Sequence, residues 1–349
     1  MTNAIKILLP AAVSFISGIF LTPILTHYFY KYKMWKSTSR NENVVKGDFE
    51  KIHDGVAEVS TPRVGGTVVW MSALFTIFIF LILNISYNSA WTEKMYFISR
   101  GQTILPLFTL ILASIIGLGD DLIQIFGTGM WRRDPMVLRF IKLSIILVLG
   151  VLISWWFYSK LGISSIYIPS YGFVELGFLF IPAFILVMLA VWSGSVIDGV
   201  DGLAGGVLAS IFAAYTFISF FNGQIDLAAF CAVITGGILV FLWFNIPPAR
   251  FYMGETGMMG LTVTISVLAF LTDTVLLLPI IAFPLFITSL SVLIQMFSRK
   301  FRNGKKVFLF APLHHHFEAM GWSKYKVVMR YWVVSIITSI LGVILYIVS

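Results

Sequence analysis

The chain reads as an all-α polytopic membrane protein of about ten transmembrane helices. Three observations carry this. Of 349 residues, 58% are hydrophobic and only 11% charged, against about 25% charged in a soluble domain. The mean hydropathy is +0.93. Apolar runs long enough to cross a bilayer, about 20 residues each, recur along the whole length, and no segment between them is large enough to fold as a soluble domain. The expected organisation is a single integral membrane domain over residues 1–349.

Ten spans are expected, at 4–30, 64–84, 102–119, 136–158, 176–195, 203–221, 225–244, 257–272, 275–297 and 327–348. The first is long enough to be retained as a span rather than removed as a signal. The sixth and seventh are joined only by Asn222-Gly-Gln and must form a tight hairpin. The ninth carries Pro279 and Pro284, which remove backbone donors and should bend or break it. Between the fourth and fifth spans, Ile163–Phe173 alternates β-branched and aromatic residues around Pro169, the pattern of a small β-hairpin.

Orientation follows from Lys and Arg. The alternate loops at 31–63, 120–135, 245–256 and 298–326 hold seventeen of the 24, including Arg132 and Arg133, against four on the opposite side. The positive-inside rule makes the rich loops cytoplasmic. Both termini and the hairpin are then outside. The formal charge of +8 reflects this bias rather than a nucleic-acid surface. The lone Cys231 lies in an apolar run, which excludes a disulfide framework and a cysteine metal site.

Polar groups at a membrane boundary are costly, so they default to function. Four clusters fall on the cytoplasmic side. Asp120-Asp121 ends the third span; adjacent carboxylates repel unless a cation is near, and hard cations such as Mg²⁺ take oxygen ligands beside phosphate. The second is Ser195-Val-Ile-Asp198-Gly-Val-Asp201-Gly-Leu-Ala-Gly-Gly206, with no Lys or Arg. If it is helical, the i,i+3 spacing puts both carboxylates on one face. The third is Tyr252-Met-Gly-Glu255-Thr-Gly257, after Pro247-Pro248; Tyr252 could stack on a flat base, and the backbone N–H groups of the next helix could face an anion. The fourth is the loop Ala311-Pro-Leu-His-His-His-Phe-Glu318. Three consecutive histidines cannot all reach one ion from regular structure. Donation to phosphate or sugar by His314, His315 and His316 is the better reading. Phosphate-cradling, dinucleotide-binding and serine-nucleophile motifs are absent, so ATPase, dehydrogenase and serine hydrolase readings have no support.

In this order, the four clusters resemble those of the polyprenyl-phosphate N-acetylhexosamine-1-phosphate transferase superfamily. Ala-Pro-Leu-His-His-His-Phe-Glu followed by Gly321-Trp322 is similar to its phospho-N-acetylmuramoyl-pentapeptide transferase branch, as are Thr61-Pro-Arg-Val-Gly-Gly66 and Lys305-Lys306. The resemblance spans residues 15–348. It implies a transferase working at the cytoplasmic face, in a bacterial inner membrane, with Mg²⁺ as cofactor. The donor would be UDP-MurNAc-pentapeptide, the acceptor undecaprenyl phosphate, and the product a peptidoglycan precursor.

The resemblance also implies roles. Asp120 would engage the lipid phosphate with Asp121 supporting the same polar site, Asp198 and Asp201 would line the nucleotide side, and Ser195 and Thr61 would bind substrate. Glu255 would be the metal ligand and Tyr252 the ring stacked on uracil. His314, His315 and His316 would close the sugar-phosphate site, and Lys142 approximates a family lysine. Four positions depart from the pattern: Gln124 stands where Lys is usual, Ser195 for Asn, Glu255 for Asp, and Val56-Ala-Glu58-Val-Ser60 where a Lys is expected. Rival readings are a related transferase of GlcNAc-1-phosphate, a non-catalytic homologue that binds lipid or nucleotide sugar, and, remotely, a transporter. Helix surfaces suitable for a homodimer are plentiful.

Overall fold

The computed structural model describes residues 2–35, 59–127 and 135–349. Most of the basic loop at 31–63 and residues 128–134 of the loop at 120–135, with Arg132 and Arg133, lie outside the described residues, as does Val56-Ala-Glu58. The long helices are α1 (Thr2–Lys31), α2 (Thr67–Tyr87), α4 (Ile104–Phe126), α5 (Pro135–Trp156), α6 (Phe180–Ser193), α7 (Leu203–Phe221), α8 (Ile225–Asn245), α9 (Gly254–Leu271), α11 (Phe283–Phe301) and α13 (Lys324–Val348). Short helices α3 (Ala90–Met95), α10 (Leu278–Ile281) and α12 (Leu313–Ala319) lie between them. Among the described residues, nine helical segments are long and apolar enough to cross a membrane. The protein is thus a multi-pass membrane protein.

The expected ninth span is the one not among these nine segments. It is broken at Ala282 into α10 and α11, next to Pro284. The Leu285 N–H turns to the Ala282 carbonyl, 2.9 Å away, which frees the Ile281 carbonyl. Ser339 of α13 donates to that oxygen at 3.2 Å, so this freed acceptor keeps a partner in the apolar interior.

Helix α9 is the axis of the bundle: every residue in it except Glu255 is buried. Small residues let its neighbours approach closely, the usual basis of helix packing in lipid. A Cβ at Gly260 would sit 2.1 Å from Ser114 Oγ of α4, and one at Gly117 of α4 would sit 2.3 Å from the Glu255 carbonyl. The same device packs α1, α2 and α8, where Gly18 faces Ser72 and Val240, and Gly237 faces the Val69 carbonyl. Helices α7 and α8 form the expected hairpin, turning at Gly223 with φ +72°.

The expected hairpin exists as β1 (Ser165–Ile168) and β2 (Gly172–Glu175), antiparallel with Tyr167 opposite Phe173. It runs two residues further than the sequence pattern indicated.

Candidate active site

The site is built around the first turn of α9. The initial N–H groups of a helix have no partner within it and carry partial positive charge. Here two carboxylates from distant segments take them. Asp121 accepts from the Glu255 N–H at 3.1 Å and the Thr256 N–H at 2.9 Å, and Asp198 accepts from the Gly254 N–H at 3.2 Å. Gly254 has φ +68° and lies so close to the Arg63 carbonyl that a Cβ would fall 1.8 Å from it, so the segment before the helix requires glycine there.

Asp120 and Asp121 do not end the helix, as the sequence suggested. Helix α4 continues to Phe126, and the two carboxylates point to different neighbours. Asp121 is buried and caps α9. Asp120 accepts from Lys142 Nζ of α5 at 3.1 Å and from Gln124 Nε2, one turn along its own helix, at 2.9 Å. Lys142 also makes an ion pair with Glu255. One ammonium therefore joins Asp120, on α4, to Glu255, at the start of α9. Gln124, which stands where the family pattern has lysine, keeps a donor on Asp120 but brings no charge.

Asp198 and Asp201 do not share a helical face. The 3₁₀ turn Gly194–Ile197 stops at Asp198, whose ψ of 64° leaves the helical region, so the chain turns away from a helix between the two carboxylates. Asp201 accepts from the Ala249 N–H at 3.3 Å, while Asp198 faces α9. Two groups that the sequence reading did not single out hold this turn. Asn245 Oδ1 accepts from the Gly202 N–H at 2.8 Å, and Trp332 Nε1 donates to the Gly202 carbonyl at 3.0 Å. Ser195 contributes its carbonyl to the Asp198 N–H at 3.2 Å.

The histidine segment is helical (α12) rather than a loop. Its first two imidazoles face the Asp198 turn: a Cβ at Gly199 would fall 2.6 Å from His314 Nε2 and 3.3 Å from His315 Nε2. His315 Nδ1 pairs with Glu318 Oε2 at 2.6 Å, one turn on, a spacing visible in the sequence. His316 points elsewhere and accepts from the Leu309 N–H at 3.1 Å. His314 is fully buried, and neither of its ring nitrogens has a hydrogen-bond partner among the described residues. Burial, reinforced by the neighbouring His315, holds its pKa well below the ordinary value of 6.5. The ring is therefore neutral at neutral pH, with a donor and an acceptor both available.

Thr61 is buried at the head of a segment that pairs with the chain before α9. The Tyr252 N–H bonds to the Pro62 carbonyl at 2.8 Å, and the Gly65 N–H to the Tyr252 carbonyl at 2.8 Å. This fixes Tyr252, whose ring is partly exposed, beside the carboxylates.

Among the described residues no group of three or more His, Cys, Asp and Glu is arranged to hold a metal by itself. The donor chemistry nonetheless fits a hard cation. Glu255 Oε2 is buried without a partner while Oε1 meets Lys142, and Mg²⁺ is commonly held by one or two carboxylates plus substrate phosphate.

A carboxylate-rich centre with a bridging ammonium and a neutral, unpartnered imidazole, at one end of an apolar helix bundle, has the chemistry of a membrane protein that handles phosphorylated groups. Comparison with known proteins makes this specific. Residues 103–273 match glycosyl transferase family 4. A phospho-N-acetylmuramoyl-pentapeptide-transferase of Geobacillus thermodenitrificans (strain NG80-2) is 32% identical over 344 residues, 97% of each chain. One of Anoxybacillus flavithermus is 31% identical over 345 residues, 98% of each chain, and one of Clostridium perfringens 29% identical over 334, 95% and 94%. The chain belongs to the phospho-N-acetylmuramoyl-pentapeptide-transferase family, and it is a phosphotransferase.

Proposed function

We propose that this site transfers phospho-MurNAc-pentapeptide from its UDP donor to undecaprenyl phosphate, giving lipid I and UMP. The observation that supports this best is the Asp120–Lys142–Glu255 bridge, beside the Asp198 turn that His314 and His315 of α12 face. An oxygen of the lipid phosphate attacks the sugar-bearing phosphorus of the donor, and the bond from that phosphorus to UMP breaks. Catalysis of this kind is mostly positioning and charge neutralisation. Lys142 moves onto the incoming phosphates as they displace its carboxylate partners. Asp120, relieved of that ion pair, orients the attacking phosphate. His314 donates one N–H to a phosphate or sugar oxygen, and Asp201 and Tyr252 hold the uridine, the ring by stacking.

Glu255 Oε2 is the oxygen best suited to Mg²⁺, which when bound neutralises the donor diphosphate. The reading is of one membrane domain whose site faces the cytoplasm, where a soluble nucleotide can meet a lipid-bound acceptor, with both termini outside a bacterial inner membrane.

The test is UMP release by the purified full-length chain with undecaprenyl phosphate and Mg²⁺. UDP-MurNAc-pentapeptide and UDP-GlcNAc are supplied in parallel, each with and without EDTA. Metal-dependent release with the muramoyl donor alone is expected. Release with UDP-GlcNAc alone would move the protein to the related transferases. No release with either, from folded protein, would reject the catalytic reading of the site.

A further inference from the structure

At the other end of the bundle lies a cavity of about 410 Å³ that the transfer reaction does not use. Helices α7, α9 and α13 all run from the site to this end. α9 alone, with 18 residues at about 1.5 Å each, separates the two by about 27 Å. The cavity is walled by Tyr167 and Phe173 of the hairpin, Phe221 at the end of α7 and Tyr346 near the end of α13. Its floor carries Asp273, just past α9. The size falls within the range of about 300–1,000 Å³ usual for small-ligand sites.

Asp273 is unusual in two ways. It adopts φ +57°, a left-handed conformation that residues other than glycine seldom take. It is also half-buried with no cation and no hydrogen-bond donor meeting its carboxylate among the described residues. Its neighbours are committed elsewhere: Thr272 donates to the Leu268 carbonyl at 2.8 Å, and Thr274 pairs with the Thr272 and Tyr215 hydroxyls. The Tyr167 hydroxyl donates to the Ser349 carbonyl at 3.1 Å, and its ring meets Phe173 edge to face at 5.3 Å. The wall therefore presents aromatic rings, with the Tyr167 hydroxyl already committed. Burial without a counter-charge raises the Asp273 carboxyl above its ordinary pKa.

An unpaired carboxylate inside a ring of aromatic side chains is the chemistry that recognises an organic cation. The ring quadrupoles attract positive charge, most of all when it is desolvated. An anion would meet the carboxylate, and a neutral apolar ligand would leave it buried and unpaired. We propose that this cavity binds an alkylammonium group, with Asp273 as counter-ion and Tyr167, Phe173, Phe221 and Tyr346 as its walls. The ammonium could belong to an ethanolamine lipid headgroup or to a soluble amine. On the orientation proposed above, the cavity lies at the outer leaflet. The inference does not depend on which donor the transfer site uses.

The experiment uses the full chain in nanodiscs free of amine lipids. Tetramethylammonium and ethanolammonium are titrated by ligand-observed NMR against the uncharged isostere 3,3-dimethylbutanol. Native mass spectrometry then compares retention of phosphatidylethanolamine with that of phosphatidylglycerol. The key variant is Asp273→Asn, because asparagine tolerates the left-handed backbone and removes only the charge. An unchanged melting temperature verifies its fold. At least tenfold preference for an ammonium over the neutral isostere, lost in Asp273→Asn, is expected for a soluble amine. Selective retention of phosphatidylethanolamine, lost in the same variant, would support the headgroup. Equal binding of the isostere, binding unchanged in Asp273→Asn, or no binding in either arm would overturn the proposal.

Discussion

The carboxylate of Asp121 accepts the backbone N–H of Thr256 at 2.9 Å, although the two residues are 135 positions apart. A helix start is normally capped by a residue just before it. Here the cap comes from a neighbouring helix, which ties the folding of the bundle to the assembly of its reactive end. Asp121→Ala would leave two N–H groups of α9 buried and unpaired, a loss of about 2 kcal/mol or more. The expected result is a lower melting temperature in detergent together with lost activity. A melting temperature equal to wild type would mean that the cap contributes nothing to stability.

Lys142 pairs with two carboxylates of the acidic centre, Asp120 and Glu255. Lys142→Met should lower UMP release by well over tenfold while the protein still folds, because two adjoining carboxylates would face an anionic donor unscreened. Lys142→Arg should recover part of the loss. Gln124→Lys should keep activity, since Asp120 already has its ammonium. Wild-type turnover in Lys142→Met would remove the bridge from the mechanism.

Gly199 and Gly119 form a matched pair. A methyl at Gly199 collides with His314 Nε2, whereas one at Gly119, beside Asp120, meets nothing within 4 Å. Gly199→Ala should cost at least tenfold in turnover at near-normal stability. Gly119→Ala should be neutral in turnover and stabilise α4 by up to about 1 kcal/mol. Equal effects of the two substitutions on turnover would contradict the role given to the histidine face.

His314 sets an acid limit. The unfolded chain takes up a proton there near pH 6.5, and the folded chain only at clearly lower pH, because burial opposes the charge. The stability linked to this group is therefore fully present above about pH 6.5 and is lost as pH falls through the folded value. Melting temperatures measured from pH 8 to 5 should decline below about 6.5. His314→Gln should flatten that decline, and an identical decline in the variant would assign it to other groups.

The long helices were legible because a bilayer demands a minimum apolar length, and the break near Pro284 because proline removes a donor. The site was legible as a set of residues but not as an arrangement. Asp120 and Asp121 looked like a pair, yet one is a structural cap and the other an ion-pair partner; that division depends on α5 and α9, which local sequence does not reveal. Asp198 and Asp201 are separated because the helical turn before them ends at Asp198, and nothing in their i,i+3 spacing distinguishes a helix from a turn. Lys142 stood out only weakly, because a single lysine near a helix end is what snorkelling at a membrane boundary also produces. Asn245 and Trp332 gave no signal at all, since their partners are backbone atoms far away in sequence.

Helix α9 has a different kind of neighbourhood from the rest of the bundle. It touches other side chains along its whole length, so its composition answers to shape rather than to solubility in lipid: Gly257, Gly260, Thr262, Thr264 and Ser266 all sit in its interior. Thr262 and Thr264 return their hydroxyls to carbonyls of the same helix. Tolerance to substitution along α9 should therefore follow side-chain volume, with alanine accepted at Thr262, Thr264 and Ser266 where leucine is not, and glycine required at Gly254 and Gly260. The lipid-facing helices should show the opposite ranking. A thicker, thinner or differently charged bilayer would press on the rim of the molecule and leave this inner column, with Glu255 at its tip, where it is.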